Sequence, residues 1–475
     1  MKKSELDKSS SQYKEGTRFI IVLCMIGVLF LMIVAHLTIL ELWGKEKFMS
    51  NSFNQRQWEQ EKRILRGDIV DRNGEILAYS EFVEEGNNQN RIYPFNNLYS
   101  HVIGYNSRVY GKSQLELEYN NNLSGASGIS TFTLDDDKKG ETVHLTISHN
   151  LQKKARDLLG KNIGAVVAIE PSTGEILCMY SYPNFNPTDE VLSEEWESLT
   201  ANEDAPFLQR ATSGLYPPGS VMKTIWTAAA IENGITLTDF EDKGEIEIGG
   251  KTFSNAKGKA YGEIDLKKAF SVSSNVAYIT LSEMMGSEMM SDYAQKFFFD
   301  TKIPFELSAE TPKFGHGKRM GNTERASVSI GQGKILTTPL HMAMVCSAVA
   351  NDGIMMSPYL VEKCVGNNGI VTASSKSTIL NRVIKTSTAS KLKEYMTEVV
   401  NSGTGTNAKI SGVTVAGKSG TAETGEDRKD HSWFIAFAPA ENPTIAVAVV
   451  LEHGGSGGGA SAAPIAREII KTWLN

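Results

Sequence analysis

Residues 19–40, FIIVLCMIGVLFLMIVAHLTIL, are 22 nearly uninterrupted apolar positions close to the start of the chain. No polar face recurs along them, as a core helix of a soluble domain would need, and the run is long enough to cross a hydrocarbon layer as an α-helix. His36 and Thr38 lie near its end, where polarity is tolerated. A cleavable signal would have a shorter apolar core and a small-x-small cleavage site, and none follows Leu40. The run therefore reads as a retained anchor. Lys2, Lys3, Lys8, Lys14 and Arg18 precede it, and Lys45, Lys47 and Arg56 follow. This modest bias puts the N-terminus inside. The expected layout is a cytoplasmic tail over 1–18, a transmembrane helix over 19–41, and an extracytoplasmic remainder. A tail of 18 residues is too short for a domain.

The remainder of the 475 residues suits two domains or three. A hydrophobic fraction of 41% and a charged fraction of 22% are ordinary for a folded protein. The net charge of −7, with no basic run interleaved with aromatics, excludes nucleic acid as a partner. Cys24, Cys178, Cys346 and Cys364 show no metal-ligand spacing, and Cys24 lies in the apolar run, leaving an odd number outside it. Buried free thiols are expected, with no disulfide framework, metal or cofactor.

Residues 42–150 are polar and rich in Asn. Within RGDIVDRNGEILAYS (66–80), Ile69-Val70 and Ile76-Leu77 flank the turn signal Asp71-Arg72-Asn73-Gly74, which predicts a hairpin. Residues 86–97 read as loop, 123–130 carry more Gly and Ser, and 135–140 form a charged turn. A second unit spans 151–475. It opens with strands at 164–170 and 174–181, joined by Pro171-Ser172-Thr173, and ends with strands at 413–417, 432–438 and 444–452 and a helix at 463–474. Strands from both ends with helices between predict an α+β fold, an antiparallel sheet flanked by helices.

Ser220 follows Pro217-Pro218-Gly219, which stop any earlier helix, and opens SVMKTIWTAAAIENG, a helix ending at Gly234. A helix N-terminus favours negative charge, and Lys223 lies one turn on, where a desolvated amine can act as a base. The Ser-x-x-Lys spacing also occurs at Ser11, Ser254 and Ser390, so alone it is weak: the first is in the tail, the second in a turn-rich stretch, the third on a polar helix. Ser273-Ser274-Asn275 comes next, a polar step between two apolar helical segments. Lys418-Ser419-Gly420-Thr421 follows the strand ending VTVAG, where a glycine admits a ligand backbone and a cation suits a carboxylate.

Ser-x-x-Lys, then Ser-x-Asn, then Lys-Thr/Ser-Gly is in order the signature of the penicillin-recognising serine enzymes. The chain resembles class B penicillin-binding proteins over nearly its whole length: RGDIVDRNG, the Gly111-Lys112-Ser113-Gln114-Leu115-Glu116 segment, YPPGSVMK, SIGQGKILTTPLHMA and AGKSGTAE all read as family segments. The middle residue Ser274, and Ser419 where many relatives have Thr, are small departures.

The resemblance implies a pedestal domain of the dimerisation type over 42–150 and a transpeptidase domain over 151–475. It implies a D,D-transpeptidase that cross-links cell-wall stem peptides and is acylated by β-lactams. Ser220 would be the nucleophile, Lys223 its base, Ser273 a proton relay to the leaving amine, Asn275 the holder of the donor peptide's amide, and Lys418 the source of a pKa-lowering field. Ser419, Gly420 and Thr421 would bind the terminal carboxylate, with the N–H groups of Ser220 and Thr421 as oxyanion hole. Gly331-Gln332-Gly333 would shape the cleft wall. His316, His341 and His431 read as structural, with His431 and Trp433 as weaker candidates for substrate contact. A β-lactamase would have no use for this pedestal and anchor, a sensor would need a signalling domain, and a carboxypeptidase side activity stays open. Residues 42–150 are too short for a glycosyltransferase, so the implied partner is a polytopic membrane glycosyltransferase.

Overall fold

The computed structural model describes residues 2–39, 64–83, 89–125, 139–425 and 428–475. Lys45, Lys47, Arg56 and most of the Gly- and Ser-richer stretch at 123–130 and of the turn expected at 135–140 lie outside these residues. The chain forms two compact units, Met1–Gln60 with Ser107–Lys112, and Glu61–Asn106 with Ser113–Asn475. The first contains α1 (Lys2–Ile39). Its segment Arg18–His36 has a mean hydropathy of 2.9, is not buried within the chain, and is long and apolar enough to cross a membrane.

The second unit starts with the expected hairpin. β1 (Ile69–Val70) pairs antiparallel with β2 (Ile76–Phe82), with Ile69 opposite Ala78. Asp71 explains the turn: its Oδ1 accepts from the N–H groups of Asn73 and Glu75, at 2.7 and 2.9 Å. The stretch expected as loop contains a strand, β3 (Gln89–Ile92), paired with β2. Its sequence, QNRI, has only Ile92 as a β-former, and pairing rather than propensity sets its conformation. β4 (Thr142–Leu145) runs parallel to β1. Two further strands, Val361–Val365 and Val371–Ser374, complete this six-stranded sheet beside β4. The pedestal sheet thus draws strands from more than 200 residues further along the chain, a pairing that no local pattern announces.

Behind this sheet Arg66 and Arg91 converge on Glu116, with Nε–Oε distances of 2.6 and 2.7 Å. Arg66 also donates to Asn120 Oδ1 and the Glu116 carbonyl, and Arg91 to the Gly67 carbonyl. Burial pushes the Glu116 carboxyl up, but the two guanidinium groups outweigh it and hold it below the usual range.

The catalytic part is built on one antiparallel sheet. β5 (Gly164–Ile169) and β6 (Ile176–Tyr182) pair with each other, and β5 adjoins strands from the C-terminal end. α2 (His149–Leu159), α3 (Lys223–Glu232), α4 (Leu266–Val272), α5 (Asn275–Lys296), α6 (Pro339–Ala350) and α7 (Thr386–Asn401) precede those strands. These are β7 (Ala416–Ala422), β8 (His431–Ala438) and β9 (Ile445–Leu451), giving the order β7-β8-β9-β5-β6. α8 (Ala462–Leu474) closes the chain. Every residue of β9 is buried, so both its faces are covered, by α6 and by α8. All twelve residues of α6 are buried. Each large aliphatic side chain so covered contributes about 1.5–3 kcal/mol.

Cys178, Cys346 and Cys364 are buried free thiols. The strand expected at 413–417 lies further on, at Ala416–Ala422. The polar Lys-Ser-Gly-Thr run looked like a strand end, yet each of its residues is paired to β8, Lys418 with Ile435 and Thr421 with Ser432.

Candidate active site

Ser220 sits in a 3-10 turn, Gly219–Met222, that leads into α3. Gly219 has φ +55°, and a Cβ there would lie 2.2 Å from the Thr421 carbonyl oxygen. Only glycine lets the turn press against β7 in this way. Gly219 N donates to the Gly331 carbonyl at 2.9 Å, and a Cβ on Gly331 would lie 2.0 Å from Gly219 O. Trp433, wholly buried, donates from Nε1 to the Pro217 carbonyl at 3.0 Å. Trp433 therefore acts as a core brace for the serine turn. A Cβ on Gly420 would meet Val221 Cγ1 at 2.9 Å and Pro218 O at 3.1 Å, so this glycine lets the serine turn approach β7 closely.

Lys223 starts α3 and is fully buried. Its Nζ donates to the Ser273 carbonyl (2.8 Å), to Asn275 Oδ1 (2.7 Å) and, at 3.3 Å, to Ser273 Oγ. Lys418 reaches the same hydroxyl from β7: Nζ lies 2.9 Å from Ser273 Oγ and 2.8 Å from the Ser419 carbonyl. Ser273 holds this central place through its backbone. It caps α4 with φ +60° and ψ +41°, a left-handed conformation costing a non-glycine residue about 1–2 kcal/mol. Among the described residues no hydrogen bond joins Ser220 to Lys223.

Two buried amines on one hydroxyl make an unfavourable place for positive charge, which the ring beneath each (Tyr278 under Lys223, Phe270 under Lys418) only partly offsets. Burial lowers Lys418 from its ordinary value to about 7. Burial, then the charge of Lys418, put Lys223 well below the usual lysine range, with Asp242 pulling the other way. Lys223 is thus poised to be a neutral amine, the form in which lysine accepts a proton.

A cleft of about 680 Å³ opens over this group. Ser220, Ser273, Asn275, Ser419 and Thr421 line it, as do Gln332, Thr404 and Asn255. Of the residues anticipated, Lys223 and Lys418 lie buried behind Ser273, and Gly420 lies beneath the serine turn. His341 is buried with both ring nitrogens bonded, to the Thr337 hydroxyl and the Phe297 carbonyl. His431 packs edge-on against Tyr216, away from the cleft lining.

Three residues escaped the sequence reading. Thr404 Oγ1 is 2.6 Å from Ser419 Oγ. Asp242 and Asn255 sit behind Asn275, with Asn255 Oδ1 accepting from Asn275 N at 2.7 Å. Asn255 lies in the turn-rich stretch beside Ser254 that was set aside, and Asp242 carries no local signal.

The arrangement suits nucleophilic acyl transfer: a hydroxyl at a turn, a desolvated amine behind it, a bridging hydroxyl and a row of hydroxyl donors. Comparisons with known proteins agree. The family of the penicillin binding protein transpeptidase domain matches residues 164–471. That of the penicillin binding protein A dimerisation domain matches residues 66–139. The peptidoglycan D,D-transpeptidase PbpA of Mycolicibacterium smegmatis is 33% identical, over 94% of this chain and 97% of that protein. The peptidoglycan D,D-transpeptidase MrdA of Acinetobacter baumannii is 30% identical, over 81% of this chain and 66% of its own length. Penicillin-binding protein A from M. tuberculosis, solved as a ceftriaxone acyl-enzyme complex, superposes with a TM-score of 0.82 at 32% identity, over 87% of this chain and 99% of that one.

Proposed function

This chain belongs to the penicillin-binding protein transpeptidase family, and we propose that it is a serine-type peptidoglycan D,D-transpeptidase in which Ser220 is acylated by D-Ala-D-Ala stem peptides and by β-lactams. The observation that carries the assignment is the pair of buried lysines meeting at Ser273 behind a cleft that exposes Ser220.

Neutral Lys223 takes the Ser220 proton as Oγ attacks the penultimate D-Ala carbonyl. This requires Lys223 to release one of its present partners when substrate enters, since it now bonds Ser273 and Asn275. The N–H groups of Ser220 and Thr421 hold the oxyanion, each such donor being worth about 3 kcal/mol. Collapse breaks the C–N bond, and the proton passes from Lys223 through Ser273 to the departing D-Ala amine. An acceptor amine from a second stem peptide then attacks the ester, loses a proton along the same route, and Ser220 regains its hydrogen. Asn275 receives the donor peptide's amide. Ser419, oriented by Thr404, and Thr421 bind the terminal carboxylate, with Lys418 behind them. Gly420, between them on β7, completes this binding strand and admits the serine turn against it.

The domain reading is a pedestal over 42–150 and a catalytic domain over 151–475, supported by the matches at 66–139 and 164–471. The apolar helix is taken as a single-pass anchor in the cytoplasmic membrane, N-terminus inside, supported by the Lys and Arg bias. A polytopic membrane glycosyltransferase, acting on the same glycan, is the partner the layout calls for.

The test is intact mass of the full-length protein with benzylpenicillin, beside Ser220→Ala. A single persistent adduct on the Ser220 peptide, absent from the variant, is expected. An adduct on another residue, or none on the folded protein, would refute the assignment. A rapidly lost adduct would mark a β-lactamase instead.

A further inference from the structure

Asp242 is 1% exposed and lies outside the cleft lining, yet it anchors one wall of the site. Its Oδ1 accepts from Gly244 N and Asn255 Nδ2, both at 2.8 Å. Its Oδ2 accepts from Asn255 Nδ2 at 2.9 Å and from the Ser274 hydroxyl at 2.6 Å. Hydroxyl-to-carboxylate bonds of this length are among the stronger kind.

These two partners hold the start of α5. The first N–H groups of a helix have no partner within it. Here Asn255 Oδ1 accepts from Asn275 N (2.7 Å) and Val276 N (3.2 Å), and Ser274 Oγ accepts from Ala277 N (3.0 Å). Three successive N–H groups are therefore held by two side chains, both tied to one buried carboxylate. The Asn275 side chain leaves this fixed backbone in a single sense. Its Nδ2 donates to Ser254 O at 2.8 Å, beside Asn255 in sequence, which directs Oδ1 to Lys223 Nζ. Ser273, in its left-handed conformation, is the residue immediately before this anchored turn.

We propose that Asp242 is a positioning residue for the acylation step: through Asn255 and Ser274 it fixes the first turn of α5, and thereby holds the Asn275 amide against Lys223 and the Ser273 hydroxyl between the two lysines. The inference rests on the reading of Lys223 as the base. Electrostatics point the same way. The titratable groups around Lys223 are Lys418 on β7, Asp242 behind Asn275, and the Tyr278 phenol on α5, which burial pushes up and keeps neutral. The charge of Asp242 opposes burial and Lys418 and partly offsets their lowering of the Lys223 ionisation.

The experiment measures benzylpenicillin acylation of the full-length protein by intact mass, across pH and penicillin concentration, for wild type, Asp242→Asn and Ser274→Ala. Asp242→Asn should lower the maximal acylation rate about tenfold or more while the half-saturating penicillin concentration moves much less, because alignment rather than binding is lost. Its pH–rate midpoint should move to lower pH, since a negative charge near Lys223 is gone. Ser274→Ala keeps that charge and loses one hydroxyl, so its rate should fall with little movement of the midpoint. A folded Asp242→Asn with unchanged rate and midpoint would overturn the inference while leaving Ser220 as nucleophile. If Asp242→Asn fails to fold, Ser274→Ala decides, and a wild-type rate there would overturn it. A wild-type protein that forms no adduct would instead remove the parent reading.

Discussion

In the pedestal, Glu116 lies between Arg66 and Arg91 at 2.6 and 2.7 Å, and every charge has an opposite within bonding reach. In the cleft, Lys223 and Lys418 converge on one hydroxyl, and among the described residues no carboxylate bonds either Nζ. Both clusters are buried, so the contrast is one of sign. The mixed cluster keeps its groups ionised and ties the 66–68 segment to β3 and the Glu116 helix. The like-charged pair does the reverse: burial makes both protons easier to lose, and the charge of Lys418 lowers Lys223 further. Matched buried charge fixes structure, whereas unmatched buried charge supplies a reactive amine, and one chain uses each where it is needed.

The contrast breaks most visibly by removing one member from each cluster. Glu116→Ala removes the carboxylate that two buried guanidinium groups share and should cost about 3–5 kcal/mol of stability, seen as a large drop in thermal midpoint. Lys418→Met should do the opposite for stability. It removes an unpaired buried cation, so the thermal midpoint should stay within about 1 kcal/mol of wild type or rise. Acylation by benzylpenicillin should nevertheless fall by about 10²-fold, since the field on Lys223 and a bond to Ser273 are gone. If Lys418→Met melts early, or Glu116→Ala does not, the two clusters do not differ in the way described.

A smaller effect sharpens the picture at the rim of the cleft. Serine lacks the β-branch that would restrict χ1, and at 419 its hydroxyl is held by Thr404 at 2.6 Å. Thr404→Val keeps the shape and removes that bond. It should raise the half-saturating concentration for a D-Ala-D-Ala peptide by about 3–10-fold with little change in turnover, the scale of one neutral hydrogen bond. A fall in turnover alone would place Thr404 in the chemistry instead.

Much of this was legible in the sequence, and the pattern of what was not has a physical cause. The apolar run, the Asp-Arg-Asn-Gly hairpin and the strands of the catalytic sheet follow from composition and short-range periodicity. Ser220, Ser273, Asn275, Ser419 and Thr421 do meet in one cleft, because ordered motifs survive being far apart in sequence. The misses all depend on distant partners. β3 exists because β2 pairs with it, Lys418 lies in mid-strand because β8 pairs through it, and the pedestal sheet borrows Val361–Val365 and Val371–Ser374. Asp242 precedes Ser274 by 32 residues, and Thr404 precedes Ser419 by 15, with no periodicity to link them. The close packing of the serine turn on Gly420 is likewise a contact with a distant segment that a linear sequence does not announce.

The pH dependence of acylation tests the central claim, that burial, with the charge of Lys418 beside it, keeps Lys223 available as a base. The maximal rate of benzylpenicillin acylation would be followed by intact mass across pH. Lys223 must be neutral to accept the Ser220 proton, so the rate should be low in acid, rise as pH passes the Lys223 ionisation, and level off. Because burial and Lys418 hold that ionisation well below the ordinary lysine value, the plateau should be reached far below pH 10.5. A rate that climbs steadily until it reaches the ordinary lysine range would show that Lys223 stays charged, and would contradict the account.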